Sequence, residues 1–74
     1  MFKMETDQKT LHSLFLRISP GRFHFLKFIL EGYDNLAILS SVESREGIVV
    51  IRYPEGHKVE LFALLVDIAA DLVE

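Results

Sequence analysis

Between Leu11 and Ile18 apolar and polar positions alternate, with Leu14, Leu16 and Ile18 on one side and Ser13, Phe15 and Arg17 on the other. Period two predicts a strand with one buried face. Ser19-Pro20 follows, with Ser19 placed to cap a helix and Pro20 at its first position, where the missing N–H costs nothing. The helix so begun is expected to run to about Gly32, with Asp34-Asn35 turning the chain beyond it. Leu36 to Glu43 and Ile48 to Tyr53 read as a second and a third strand, joined by Ser44-Arg45-Glu46-Gly47, a loop of hairpin length that ends on a glycine able to take positive φ. Pro54-Glu55-Gly56 then breaks the strand and starts a second helix, from about His57 to Val73.

The element order is β-α-β-β-α. Because a β-α-β crossover is right-handed, it predicts an α+β half-sandwich of ferredoxin-like type: a three-stranded antiparallel sheet, third strand central, with two helices on one face and no fourth strand. The fourth strand would ordinarily pair with the first, so that edge is expected to keep unpaired backbone groups. One domain, residues 11–74, follows a polar and flexible N-terminal segment, residues 1–10. The expected core takes Leu14, Leu16 and Ile18 from the first strand, Leu36, Ile38 and Val42 from the second, and Val49, Ile51 and Tyr53 from the third. Leu26, Ile29 and Leu30 of the first helix and Leu61, Leu65, Ile68 and Leu72 of the second complete it.

Apolar residues remain after that core is filled. The first helix keeps polar side chains only on a stripe of His24, Lys27 and Glu31, which leaves about 220° of its wheel to residues such as Phe23, Phe25, Phe28 and Tyr33. On the second helix Val59, Phe62, Val66, Ala70 and Val73 run beside the core stripe, while Glu60, Asp67, Asp71 and Glu74 hold the wet side. Phe15, Ala37, Leu39, Ile48 and Val50 are assigned to the outer sheet face, with Arg17 and Arg52 at its margin. A surplus on three elements predicts that a partner completes the fold, most simply a second copy. Phe15, Phe25, Phe28, Leu39, Val50, Phe62 and Val66 are the expected interface residues.

Composition narrows the choice of function. Seventy-four residues make a core that barely offsets chain entropy, and the absence of cysteine rules out a disulfide or thiolate metal site as reinforcement. A formal charge of −3 gives no footprint for phosphate backbones. Phe15 stands where RNA-binding sheets carry a stacking ring, yet the third strand presents Ile48, Val50 and Arg52 with no aromatic, so nucleic acid is not an expected partner. No apolar run is long enough for a bilayer and the first ten residues lack a signal-peptide plan, so the expectation is a cytoplasmic protein without a membrane.

Phe25-Leu26-Lys27-Phe28, Glu31-Gly32-Tyr33-Asp34-Asn35-Leu36-Ala37, Glu46-Gly47-Ile48-Val49 and Pro54-Glu55-Gly56 together resemble a short uncharacterised bacterial domain family of unknown function, over most of residues 14 to 70. That family has no established activity and brings no functional residues with it. More distantly, the element order, Pro20-Gly21 after the first strand, Phe23, and Asn35 before the second strand are similar to ACT domains, regulatory modules that pair side by side and often bind amino acids at the interface. The resemblance implies that Gly21 and Arg22 stand where a ligand approaches the helix start. Ser19 departs from the acidic residue common there, and the final strand of that fold is absent.

Two candidate ligand sites follow. Arg17, Ser19, Gly21 and Arg22 surround a helix N-terminus whose amides carry partial positive charge, which suits a small anion or an amino acid. Tyr33, Asp34 and Asn35 offer a hydroxyl and a carboxylate beside an interface, though the same residues suit a core-closing ring and a turn. His12, His24 and His57 fall on different elements without a second ligand at helical spacing, and Ser40-Ser41 has no base beside it. No metal, no cofactor and no catalysis are expected. The sequence therefore points to a non-enzymatic homodimer that senses a small ligand or binds protein. The alternative is a small accessory subunit docked on a heterologous enzyme.

Overall fold

The computed structural model describes residues 11–33 and 36–73. The N-terminal segment 1–10 and the Asp34-Asn35 turn expected from the sequence lie outside the described residues. Strands β1 (Leu11–Arg17), β2 (Ile38–Glu43) and β3 (Ile48–Pro54) form one antiparallel sheet in the order β1-β3-β2. Helix α1 (Phe23–Glu31) follows β1 through a 3-10 turn at Pro20–Arg22, and α2 (Lys58–Leu72) follows β3 through another at Glu55–His57. The result is the α+β half-sandwich that the pattern predicted, β-α-β-β-α with the third strand central.

Local chemistry explains where the elements begin and end. Pro20 opens the first 3-10 turn, and the Arg22 N–H closes it on the Ser19 carbonyl at 2.8 Å. The Ser19 side chain makes no capping hydrogen bond, contrary to expectation, because this main-chain turn already supplies the first acceptor. Gly32 ends α1 in right-handed rather than left-handed conformation, with its N–H donated to the Ile29 carbonyl at 3.1 Å and the next N–H, of Tyr33, donated to Leu30. In the β2–β3 hairpin Gly47 takes the positive φ expected of it, +75°.

One core holds the two layers together. Leu26 and Leu30 of α1 and Leu61 and Leu72 of α2 meet Val49, Ile51 and Tyr53 of β3, with Ile18 and Leu36 closing the two ends. Leu14, Leu16, Leu65 and Ile68 pack against this cluster as expected. No polar or charged side chain is buried among the described residues, so hydrophobic burial carries the fold.

The structure corrects the expected face of β2. Ile38 and Val42, assigned to the core, are 61% and 53% exposed, whereas Ala37 and Leu39, assigned outward, pack against the core. Leu36 is buried but precedes the strand, so the alternation does not count from it. It starts at Ile38, and Leu39 sits opposite the inward Ile51. A bulge between Ser41 and Glu43 then takes Val42 out of the ladder.

The surplus on α1 is also smaller than its wheel suggests. Phe23 and Phe25 lean onto the core beside Leu26 and Leu30, because a helix lying on a sheet buries its flanks as well as its underside. Ile29 turns to the groove between the helices, near Leu64 and Ile68. Of the aromatic residues on the helix itself, Phe28 alone is strongly exposed, at 73%.

Candidate functional site

The loop after β1 keeps Arg17, Ser19, Gly21 and Arg22 together, but several of its polar groups are engaged. Arg17 donates to Glu46 at 3.2 Å across the sheet end. The Ile18 N–H reaches the Gly47 carbonyl and the Ser19 N–H reaches the Leu72 carbonyl, both at 2.8 Å. The second contact sets the C-terminal end of α2, with its partial negative charge, against the loop. Arg22 lies with its guanidinium carbon 5.8 Å from the centroid of the Phe25 ring. Around Gly21 there is open space where a Cβ would stand, so no close backbone approach requires glycine there.

Tyr33 lies at the far end of α1 from that loop, separated by a nine-residue helix or roughly 14 Å. Its N–H donates to the Leu30 carbonyl at 3.0 Å and its own carbonyl accepts from Leu36 at 3.3 Å. Its side chain lines a shallow hollow of about 350 Å³ with Leu11, Glu31, Arg52 and Pro54. Asp34 and Asn35 fall outside the described residues. Tyr33 and the β1–α1 loop residues therefore lie at opposite ends of α1 and do not form one site.

The histidines are as scattered as their spacing implied. His12 contacts Glu55 at 2.6 Å on the surface, with its ring 5.6 Å from that of Tyr53. His57 Nδ1 stands 3.4 Å from the Leu36 carbonyl, and His24 meets only the edge of Phe23 among the rings. Among the described residues no three histidine or acidic side chains gather as a metal site, and no helix is long and apolar enough to cross a membrane.

What the fold builds instead is an apolar corner. One side of α2 faces α1 through Leu64 and Ile68, and the other leans past the edge of β1. On that second side Val59, Phe62, Val66 and Val73 are exposed, Val59 and Val66 by 83% and 76%. With Ala69 they recur at intervals of three and four, the spacing of a helix-packing seam. Beneath the stripe, Leu14, Phe62, Leu65 and Val66 line one hollow, and Leu16, Ile18, Ala69 and Val73 help line the next. Where the two ladders end, β1 has β3 on one side and no strand on the other among the described residues.

The expected interface residues divide accordingly. Phe62 and Val66 lie on this corner, Phe28 stands on the outside of α1, and Phe15 is exposed on the outer sheet face. Phe25 and Leu39 are partly buried against the core. Val50 does face outward, yet it is only 3% exposed in the central strand, between Phe15 and Ser40. Sequence reasoning took Ala70 into the α2 stripe where Ala69 completes the seam; it allowed for a dimer paired through the β1 edges but did not place that edge beside the α2 stripe. The signal was the three-four spacing, which separates a seam from a merely broad apolar arc.

No curated protein and no solved structure matches the chain. A family model described as a domain of unknown function, DUF4911, matches residues 16–71, from the end of β1 to the last turn of α2. The chain belongs to that family.

Proposed function

We propose that this chain is a non-enzymatic, ACT-like association module that works as a homodimer, binding protein rather than transforming a substrate. The observation that carries the reading is the α2 stripe: valines and a phenylalanine in register, left in water on a helix whose opposite flank is packed. A domain of this size has little stability to spare, and burying several such side chains would contribute several kcal/mol at about 25 cal/mol per Å². Ligand sensing has less support, since the Ser19 and Arg22 amides and the Arg17 guanidinium of the β1–α1 loop are already bonded and Tyr33 stands at the other end of α1. Sedimentation equilibrium at micromolar concentration tests the proposal and is expected to give twice the chain mass. A compact monomer whose melting temperature is unchanged over a hundredfold dilution would overturn it and favour an accessory subunit whose corner fits a foreign protein.

A further inference from the structure

The geometry points to one arrangement of the pair: β1 against β1 across a two-fold axis at Leu14, with the two α2 stripes packed on each other above the joined sheet. The inference rests on the association proposed above and specifies its surface and its occupant, a second copy.

Backbone direction fixes the register. The Ile18 N–H points to Gly47 on the β3 side, and donors alternate sides along an antiparallel strand. Leu16, Leu14 and His12 thus turn their N–H and C=O groups towards β3, while Leu11, Ser13, Phe15 and Arg17 turn theirs to the free edge. An axis at Leu14, the middle of the seven-residue strand, pairs Phe15 with the partner's Ser13 and Leu11 with the partner's Arg17. Every outward backbone group then finds a complement, and no like charges face each other. Two sheets of three strands become one continuous sheet of six.

The same axis serves the helix. Val66, the centre of the stripe from Val59 to Val73, lines one hollow with Leu14, so an axis through Leu14 also passes beside Val66. Glu60, Asp67 and Asp71 lie on the far face of α2, and the positions bordering the stripe are Ala63, Leu65, Ala70 and Leu72, with Lys58 at the helix start, which the two-fold axis sets at the end of the partner helix away from its own copy. Self-packing therefore meets no like-charge repulsion, and the alanines let the helices come close. The exposed stripe is a patch on the order of 400 Å² per chain, and two stripes with two strand edges exceed the roughly 1,000 Å² that a specific interface needs. The β2 edge is unsuited to the same use. It is broken by the bulge at Ser41/Glu43 and overlooked by the Lys27–Glu31 ion pair, charged where the α2 corner is apolar.

The chain has no cysteine, so a single introduced one reports its own neighbour. Under mild oxidation Val66→Cys is expected to give a covalent dimer in most of the protein, while Phe28→Cys, on the outside of α1, is expected to give little. In a second variant, Ser13→Pro removes an N–H that points away from β3 and that the partner would use, and should weaken association about tenfold or more with the circular dichroism of the parent retained. A dimer by sedimentation that oxidises through Phe28→Cys and not Val66→Cys, or that tolerates Ser13→Pro, would overturn this arrangement and leave the association standing. A monomer by sedimentation would overturn both.

Discussion

Ile18 and Gly47 hold each other at a distance that only glycine allows. The Ile18 N–H donates to the Gly47 carbonyl at 2.8 Å, and a Cβ on Gly47 would stand 1.8 Å from the Ile18 carbonyl oxygen. The contact fastens the end of β1 to the β2–β3 hairpin at the point where the chain leaves for α1.

Gly47→Ala meets two penalties at once, the left-handed φ of +75° and an overlap with backbone that cannot swing aside. In a domain of this size each kcal/mol shifts the melting temperature by about 4–8 °C, so a fall of at least about 10 °C is expected. Gly56→Ala is the control, because open space surrounds that position and its φ is not positive. Thermal melts followed by circular dichroism decide it. A Gly47→Ala protein that melts with the parent would refute the tight approach.

Leu61 and Val59 are two residues apart on α2 and should fail differently. Leu61 is fully buried at the centre of the core, so Leu61→Ala is expected to cost about 2–5 kcal/mol at any protein concentration. Val59 is exposed in the single chain, so Val59→Ala should matter only where the dimer is populated. Urea unfolding at two concentrations a hundredfold apart separates the cases. A Val59→Ala effect of equal size at both would show that Val59 supports the monomer instead.

The sequence made the architecture legible because β1 and β3 alternate cleanly and because proline and glycine mark the turns around both helices. It misled at β2, where counting by twos from Leu36 gave every later residue the wrong face. Leu36 is buried by its place between α1 and the strand rather than by the pleat, and a single run of residues does not distinguish those causes. The association corner was half legible. Seam spacing is written in α2, but that it overhangs the β1 edge depends on how α2 crosses the sheet, which comes from packing against α1 and β3 and not from any one segment.

The corrected face of β2 can be tested directly. Leu39→Ala should lower stability by about 1–3 kcal/mol, since Leu39 packs under α1 opposite Ile51, whereas Ile38→Ala should stay within about 0.5 kcal/mol. The reverse order in urea midpoints would restore the face that simple alternation implies.

The β1–α1 loop yields an expected negative with a clear alternative. A helix start binds an anion through free N–H groups, and here the Ser19 N–H is donated to Leu72, the Arg22 N–H to Ser19, and Pro20 has none, which leaves fewer donors than a helix start ordinarily offers. The α2 C-terminus brought against the loop by the Leu72 contact adds negative potential where an anion would sit. Binding to the native state alone would raise the melting temperature by mass action. Millimolar sulfate, phosphate or free amino acids are therefore expected to leave the curve in place apart from the general effect of salt, measured with chloride at equal ionic strength. A rise specific to one of them, saturating with concentration and lost in Arg22→Ala, would show that the loop opens to take a ligand and would return sensing to the function of this chain.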